Sequence, residues 1–166
     1  MITAASGLRT RIRPGDVGAV ARLHGLEYSE GYGLDERFEA YVAQSVAGFA
    51  LALPRDPDTG RLWLAEDDAG LAGCIAITRE SGAHGRLRWF LVASRARGQS
   101  LGKRLLDEAL AYARSSGLET LELETFSDLT TAAHLYRAAG FVLRDTTPQF
   151  DWGREILLQH YDLRLR

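Results

Sequence analysis

The sequence predicts one α/β (α+β) domain, and three observations predict it. The run Arg97-Gly98-Gln99-Ser100-Leu101-Gly102-Lys103 joins an apolar strand pattern to an amphipathic helix pattern through a basic, glycine-flanked turn. A second strand pattern, ending near Phe126, leads into a second helix pattern that stops at Gly140. Upstream, two strand patterns flank Asp67-Asp68-Ala69-Gly70, a turn composition that reads as a hairpin. In chain order the patterns amount to about seven strands and about four helices. There is no internal repeat, low-complexity tract or linker, so residues 1–166 read as a single domain.

Each element has its own signal. Leu8 to Arg13 alternates weakly between apolar and polar residues and runs into Pro14-Gly15-Asp16, which predicts a short strand and a helix starting at Asp16. Val17, Val20, Ala21, Leu23 and His24 share one face of that helix. Gly25, Gly31 and Gly33, with Tyr28 and Tyr32 between them, predict an irregular segment; Asp35 then caps a helix through Phe38, Tyr41, Val42, Val46 and Phe49. Pro54 to Gly60 reads as a loop, and Leu62–Glu66 and Leu71–Thr78 are the hairpin strands.

Leu87, Trp89 and Leu91 alternate with Arg88, Phe90 and Val92, so the next strand has two largely apolar faces and belongs near the middle of the sheet. Leu101, Leu105, Leu106, Ala109, Leu110 and Ala113 recur at helical spacing until Gly117. Leu118, Leu121 and Leu123 mark another strand, followed by a helix from Asp128 to Ala139. Phe141–Arg144 and Glu155–Leu165 offer two closing strands.

Composition narrows the function. Hydrophobic residues make up 46% and charged residues 25%, which excludes disordered and fibrous classes. A formal charge of -2 supplies no broad basic face, so no nucleic-acid partner is expected and any anion binding is local. Cys74 is the only cysteine, which rules out an intrachain disulfide and points to the cytoplasm. His24, His84, His134 and His160 lack metal-ligand spacing and read as surface or core residues, so no metal is expected. Met1 to Arg13 lacks the apolar core of a secretion signal, and no stretch is long enough to span a membrane.

The basic turn is built to hold phosphate. Glycines let the backbone approach an anion, the first amides of the helix are unpaired, and the helix dipole adds positive potential there. Arg95, Arg97 and Lys103 add formal charge. The same residues also spell G-x-S-x-G, the nucleophile elbow of α/β-hydrolases, and Ser100 followed by Asp128 or Asp145 and then His160 matches that triad's order. Against a hydrolase stand the short chain, the lack of a glycine-rich oxyanion segment, and cations that an acyl ester does not need. A third reading makes Ser100 an ordinary N-cap.

Two motifs carry a resemblance over nearly the whole chain to the GNAT superfamily of acetyl-CoA-dependent N-acetyltransferases. The R/Q-x-x-G-x-G/A turn corresponds to Arg97, Ser100 and Gly102, with serine in place of the middle glycine. The A-x-x-L-Y-x-x-x-G-F helix end is intact as Ala132, Leu135, Tyr136, Gly140 and Phe141. Within the superfamily, His24-Gly25, Tyr32-Gly33-Leu34-Asp35-Glu36 and the Leu129-to-Tyr136 region resemble acetyltransferase domains often fused to MarR-type regulators. The chain begins at the first acetyltransferase strand, so no DNA contact is expected. Leu129 stands where many relatives carry asparagine.

The resemblance implies a mixed, mostly antiparallel sheet splayed at its central strands, with the pantetheine arm of acetyl-CoA held along Phe90, Leu91 and Val92. It implies that Arg97, Gly98, Gln99, Ser100, Leu101, Gly102 and Lys103 take the pyrophosphate, with Thr125 and Tyr136 also at the cofactor. The Val92 amide would polarise the thioester oxygen. Tyr136, whose phenol stays protonated at neutral pH, is the expected general acid. Glu124 and Glu122, on one strand face, are candidates for the base, as are Glu27 and Glu30 in the helical entrance. Tyr28, Glu30 and Tyr32 are expected in the acceptor pocket. The acceptor is expected to be a primary amine of a small molecule or a protein, with a non-catalytic acyl-CoA-binding module as the rival; monomer and homodimer stay open.

Overall fold

The computed structural model describes residues 7–166. Two helices come first, α1 (Asp16–Tyr32) and α2 (Glu36–Ala52). Strands β1 (Gly60–Asp67), β2 (Gly70–Ser81) and β3 (His84–Val92) follow, then α3 (Leu101–Ser115), β4 (Thr120–Phe126), α4 (Thr130–Ala138), β5 (Val142–Asp151) and β6 (Arg154–Arg164). The strands form one mixed sheet in the order β1-β2-β3-β4-β6-β5, in which β3 and β4 pair in parallel and the other neighbours are antiparallel.

The alternation of side chains along the strands feeds two cores. On one face Trp63, Ile75, Ile77, Leu121, Leu123 and Tyr161 pack under α3 and α4, meeting Leu101, Leu105, Leu106, Leu110 and Tyr136. On the other, Leu62, Leu64, Cys74, Ala76 and Leu91 pack under Val20, Tyr28, Phe38, Val42, Val46 and Phe49 of α1 and α2. Each fully buried leucine or phenylalanine contributes about 1.5–3 kcal/mol. The helix α3 leucines therefore fix the end of that helix whose amides matter below.

Among the described residues the sheet has six strands, one fewer than the sequence pattern suggests. Leu8–Arg13 supplies a single bridge, Arg9 to Leu64, rather than a strand. The Arg9 guanidinium is held by Asp16 at 2.7 Å and by Glu66 at 2.9 Å, and Pro14 closes the segment before a second rung forms. The expected irregular segment is also absent: α1 runs through Gly25 and Gly31 and stops at Gly33, which takes the left-handed conformation at φ 72°. Helix contact explains this, because a Cβ on Gly25 would lie 2.8 Å from Glu39 Cδ, so glycine there permits α1 and α2 to approach.

Two further departures shape the site. Strand β5 continues from Val142 to Asp151 instead of ending at Arg144, with Pro148 tolerated because β5 is an edge strand. It turns into β6 through Trp152 and Gly153, both at positive φ (50° and 86°), the backbone of a type I′ hairpin. In β3, Trp89 sits at φ 48° and the pairing with β2 shifts between Cys74 and Ala76. This bulge breaks the alternation read from the sequence: Leu87 packs under α3, whereas Trp89 and Leu91 face α1 and α2.

Candidate active site

The pairing of β3 with β4 is confined to His84–Arg86 against Thr120–Glu122. Among the described residues, Leu87 to Val92 make no ladder with β4, although both strands continue. Two cavities lie at this unpaired end of the sheet. One is a groove of about 470 Å³, walled by Phe90, Leu91 and Val92 of β3, the turn and first residues of α3, and Ala132 and Leu135 of α4. The other is a smaller cavity of about 150 Å³ between β3, β4, the two N-terminal helices and the β5–β6 turn. Tyr28, Phe90 and Leu129 line both, so the two spaces meet there.

The groove is made largely of backbone. Gly98 at φ 76° and Ser100 at φ 58° are both left-handed, which turns successive N–H groups to one side. The first helical bond runs from the Arg104 amide to the Ser100 carbonyl at 3.1 Å. Among the described residues no acceptor takes the amides of residues 98–103. The Ser100 side chain makes no capping bond, so its hydroxyl is not an N-cap. Gly102 keeps the floor open: a Cβ there would lie 3.3 Å from Leu135 Cδ1 and 3.6 Å from both Phe90 Cζ and Val92 Cγ2.

Charge around the groove is partly matched. Glu27, a candidate base from the sequence, accepts from the Ser94 amide at 3.0 Å and lies 3.4 Å from Arg97, tying α1 to the turn. Lys103 lies 2.5 Å from Asp107, one helical turn on. Arg95 points elsewhere, bonding Asp67 at 3.0 Å, and adds no charge to the groove. Gly98, Ser100, Leu101, Gly102, Lys103 and Arg97 line the groove, whereas exposed Gln99 does not.

The smaller cavity is walled by aromatic rings from α1, α2, β3, β4, α4 and the β5–β6 turn. Tyr28 packs on Phe38 with ring centroids 4.8 Å apart, and the Trp152 indole meets Phe38 at 5.0 Å and Tyr41 at 5.8 Å. The left-handed backbone of Trp152 and a bond from the Asp35 amide to its carbonyl, 2.9 Å, hold that indole over the cavity. The Trp89 indole nitrogen donates to Ser45 Oγ at 3.0 Å. His24 is buried, donates from Nδ1 to the Val20 carbonyl at 2.8 Å, and is pushed down to about 4 by burial, so its ring is neutral.

Tyr136 lines this cavity, 4% exposed, among Phe90, Phe141 and Tyr161. Burial, with Tyr28 nearby, pushes its phenol above the usual range and keeps it protonated. Thr125 and Glu124 line the same cavity, and the Thr125 hydroxyl is buried with no hydrogen-bond partner. Glu122 lies outside both cavities, paired with Arg86 and 3.3 Å from His84 Nε2. Glu30 is exposed and lines neither, while Tyr32 lines the groove and Tyr28 stands at the junction.

The serine triad is not assembled. Both ring nitrogens of His160 are taken by carboxylates, Nδ1 by Asp145 at 2.7 Å and Nε2 by Glu124 at 3.1 Å, and Asp128 pairs with Arg154 at 3.1 Å. The Asp145 hydrogen bond leads in raising the imidazole's pKa above its ordinary value. No nitrogen of His160 remains to take a proton from Ser100.

Comparison with known proteins agrees with this geometry. The model of the acetyltransferase (GNAT) family matches residues 20–141. The chain is 35% identical over 107 residues to an IAA acetyltransferase of Azospirillum brasilense, covering 64% of this chain and 69% of that protein. Its fold matches an N-acetyltransferase from Staphylococcus aureus with a TM-score of 0.76 at 14% identity, covering 97% of this chain and all of the other (100%). It also matches a phosphinothricin acetyltransferase from Sinorhizobium meliloti in complex with AcCoA, with a TM-score of 0.72 at 19% identity, over 95% and 87% of the two chains. The cofactor of this family is acetyl-CoA, and the outward amides of 98–103 with the open floor at Gly102 fit a nucleotide's phosphates and a slender arm. The chain belongs to the GNAT acetyltransferase family.

Proposed function

We propose that this protein transfers an acetyl group to a primary amine that enters through the smaller cavity. The observation that carries the reading is the meeting of the two spaces at Tyr28, Phe90 and Leu129, with a phosphate-compatible turn at the far end of one and a protonated phenol in the other. When bound, acetyl-CoA supplies the activated acetyl thioester. Amides 98–103, with Arg97 and Lys103, hold its pyrophosphate. Phe90 to Val92, beyond the end of the β3–β4 ladder, would pair backbone groups with its arm, and the Val92 amide would polarise the thioester.

Transfer would join the acceptor nitrogen to the acyl carbon and break the carbon–sulfur bond. Glu124, held by His160, would take the proton that the ammonium sheds before attack; Tyr136 Oη would give a proton to the sulfur, and the second proton, released by the nitrogen on acylation, would restore the phenol. Glu122, neutralised by Arg86 and His84, takes no part in this scheme. The 150 Å³ of the cavity favours a small-molecule amine over a protein one. The likeness to MarR-fused domains, the single domain and a cytoplasmic home rest on the sequence reading; among the described residues no helix is long and apolar enough to cross a membrane.

Calorimetry with acetyl-CoA and thiol release across an amine panel test the reading. Binding heat together with amine-dependent thiol release is expected. Heat without release from any amine would leave an acyl-CoA-binding module, and no heat at all would remove the groove assignment.

A further inference from the structure

The charges of the smaller cavity do not cancel among themselves. At the last rung where β3 and β4 pair, Arg86 faces Glu122, and the two form an ion pair. One same-face position further along each strand stand Arg88 and Glu124, again a cation and an anion. Here the ladder has ended, both residues line the cavity, and they form no ion pair with each other. Glu124 is bonded to His160. Among the described residues, half-buried Arg88 has no carboxylate partner, and its guanidinium lies 5.6 Å from the Trp89 ring centroid. An unpaired guanidinium half withdrawn from water is costly unless something accepts from its planar fork.

A second observation is independent of the first. Thr125 is 7% exposed, lines the same cavity, and its hydroxyl is the one buried side-chain polar atom among the described residues without a hydrogen-bond partner. Buried polar atoms are nearly always paired, so an orphan in a cavity wall points to a ligand that completes it.

We propose that the acceptor is a small α-amino acid, with its amine toward Glu124, its carboxylate on the Arg88 guanidinium, and the Thr125 hydroxyl completing the polar contacts. A zwitterion supplies both the anion that Arg88 lacks and the amine that Glu124 can deprotonate, and it spans the gap where the strands part. Arg88 also disfavours a second positive charge in the cavity, which helps the amine shed its proton before attack. The aromatic walls take the side chain, and a space of about 150 Å³, enough for benzene in other proteins, limits that chain to one ring or a branched alkyl group. This inference rests on the transferase reading above.

Matched acceptors test it: phenylalanine against phenethylamine and leucine against 3-methylbutylamine, each followed by thiol release from acetyl-CoA. The expected kcat/KM is at least tenfold higher for the member with the carboxylate. Arg88→Gln should bring that ratio close to one, and Arg88→Lys should restore part of it, with binding heat for acetyl-CoA confirming that each variant is folded. Equal or better turnover of the decarboxylated amines overturns the proposal and leaves the transferase intact. So does a preference that survives Arg88→Gln. Acetyl-CoA binding with no thiol release from any of the four amines overturns the proposal, and only silence across the whole amine panel overturns the transferase reading as well.

Discussion

The groove and the smaller cavity meet at three residues but are built on different principles. The groove is backbone: two left-handed residues, a run of outward amides and a glycine floor, all within residues 97–103. The cavity is side chains: Tyr28, Phe38, Trp89, Glu124, Tyr136 and Trp152 arrive from α1, α2, β3, β4, α4 and the β5–β6 turn. A backbone site recognises what every member of a family shares, while a side-chain site can change its ligand without changing its fold. The groove is therefore where binding should fail when geometry changes, and the cavity is where turnover should fail when a single atom is removed.

The largest effect expected from that contrast comes from Tyr136→Phe. The ring keeps its neighbours Phe90, Phe141 and Tyr161, at centroid distances of 5.8–6.0 Å, so the variant should fold. Only the phenolic proton is lost. General acids of this kind contribute about 10²–10⁴-fold, so kcat should fall by about 10² or more while calorimetry returns the wild-type affinity for acetyl-CoA. Unchanged turnover would move the acid elsewhere and remove the functional difference between the two spaces.

Gly102→Val probes the other side. The added methyls would enter the floor between Leu135, Phe90 and Val92, where even a Cβ is tight. Crowding of Leu135 should lower the thermal midpoint modestly, and affinity for acetyl-CoA, measured well below that midpoint, should fall about ten- to a hundredfold, roughly 1.4–2.8 kcal/mol. Wild-type affinity would mean that the slender arm does not pass over Gly102.

What could be read from the sequence divides along the same line. The basic turn between β3 and α3 was legible as a strand-to-helix junction because its signal is contiguous: glycine, cation and helix start lie within one stretch. Tyr136 was legible because Ala132, Leu135, Gly140 and Phe141 frame it locally. The cavity was not, since Phe38, Ser45, Trp89 and Trp152 become neighbours only when α2 and the β5–β6 turn close over the sheet. Tertiary contact also overrode local signals in the fold. Gly25 and Gly31 read as breaks yet lie inside α1, because buried Tyr28, His24 and Phe38 hold the helix together. The Trp89 bulge is invisible to an alternation count, which placed Leu87 and Trp89 on one face. The signal that was available is the Trp152-Gly153 pair between two strand patterns, a two-residue turn whose first member projects an indole.

Ser100→Gly carries the smallest expected effect and separates backbone from side chain most directly. Ser100 holds a left-handed conformation at φ 58°, ψ 14°, which costs a residue with a Cβ about 1–2 kcal/mol. Glycine removes that cost but loses about 0.5–1 kcal/mol more in chain entropy on folding. The two partly offset, leaving a gain of at most about 1.5 kcal/mol, or a thermal midpoint raised by at most about 3–6 °C in a chain of this size. If the turn works through its amides, kcat/KM and acetyl-CoA affinity stay within about twofold of wild type, well under 1 kcal/mol. A drop of tenfold or more would give the Ser100 hydroxyl a role that the geometry does not assign to it, because the side chain makes no capping bond and both nitrogens of His160 are already bonded to carboxylates.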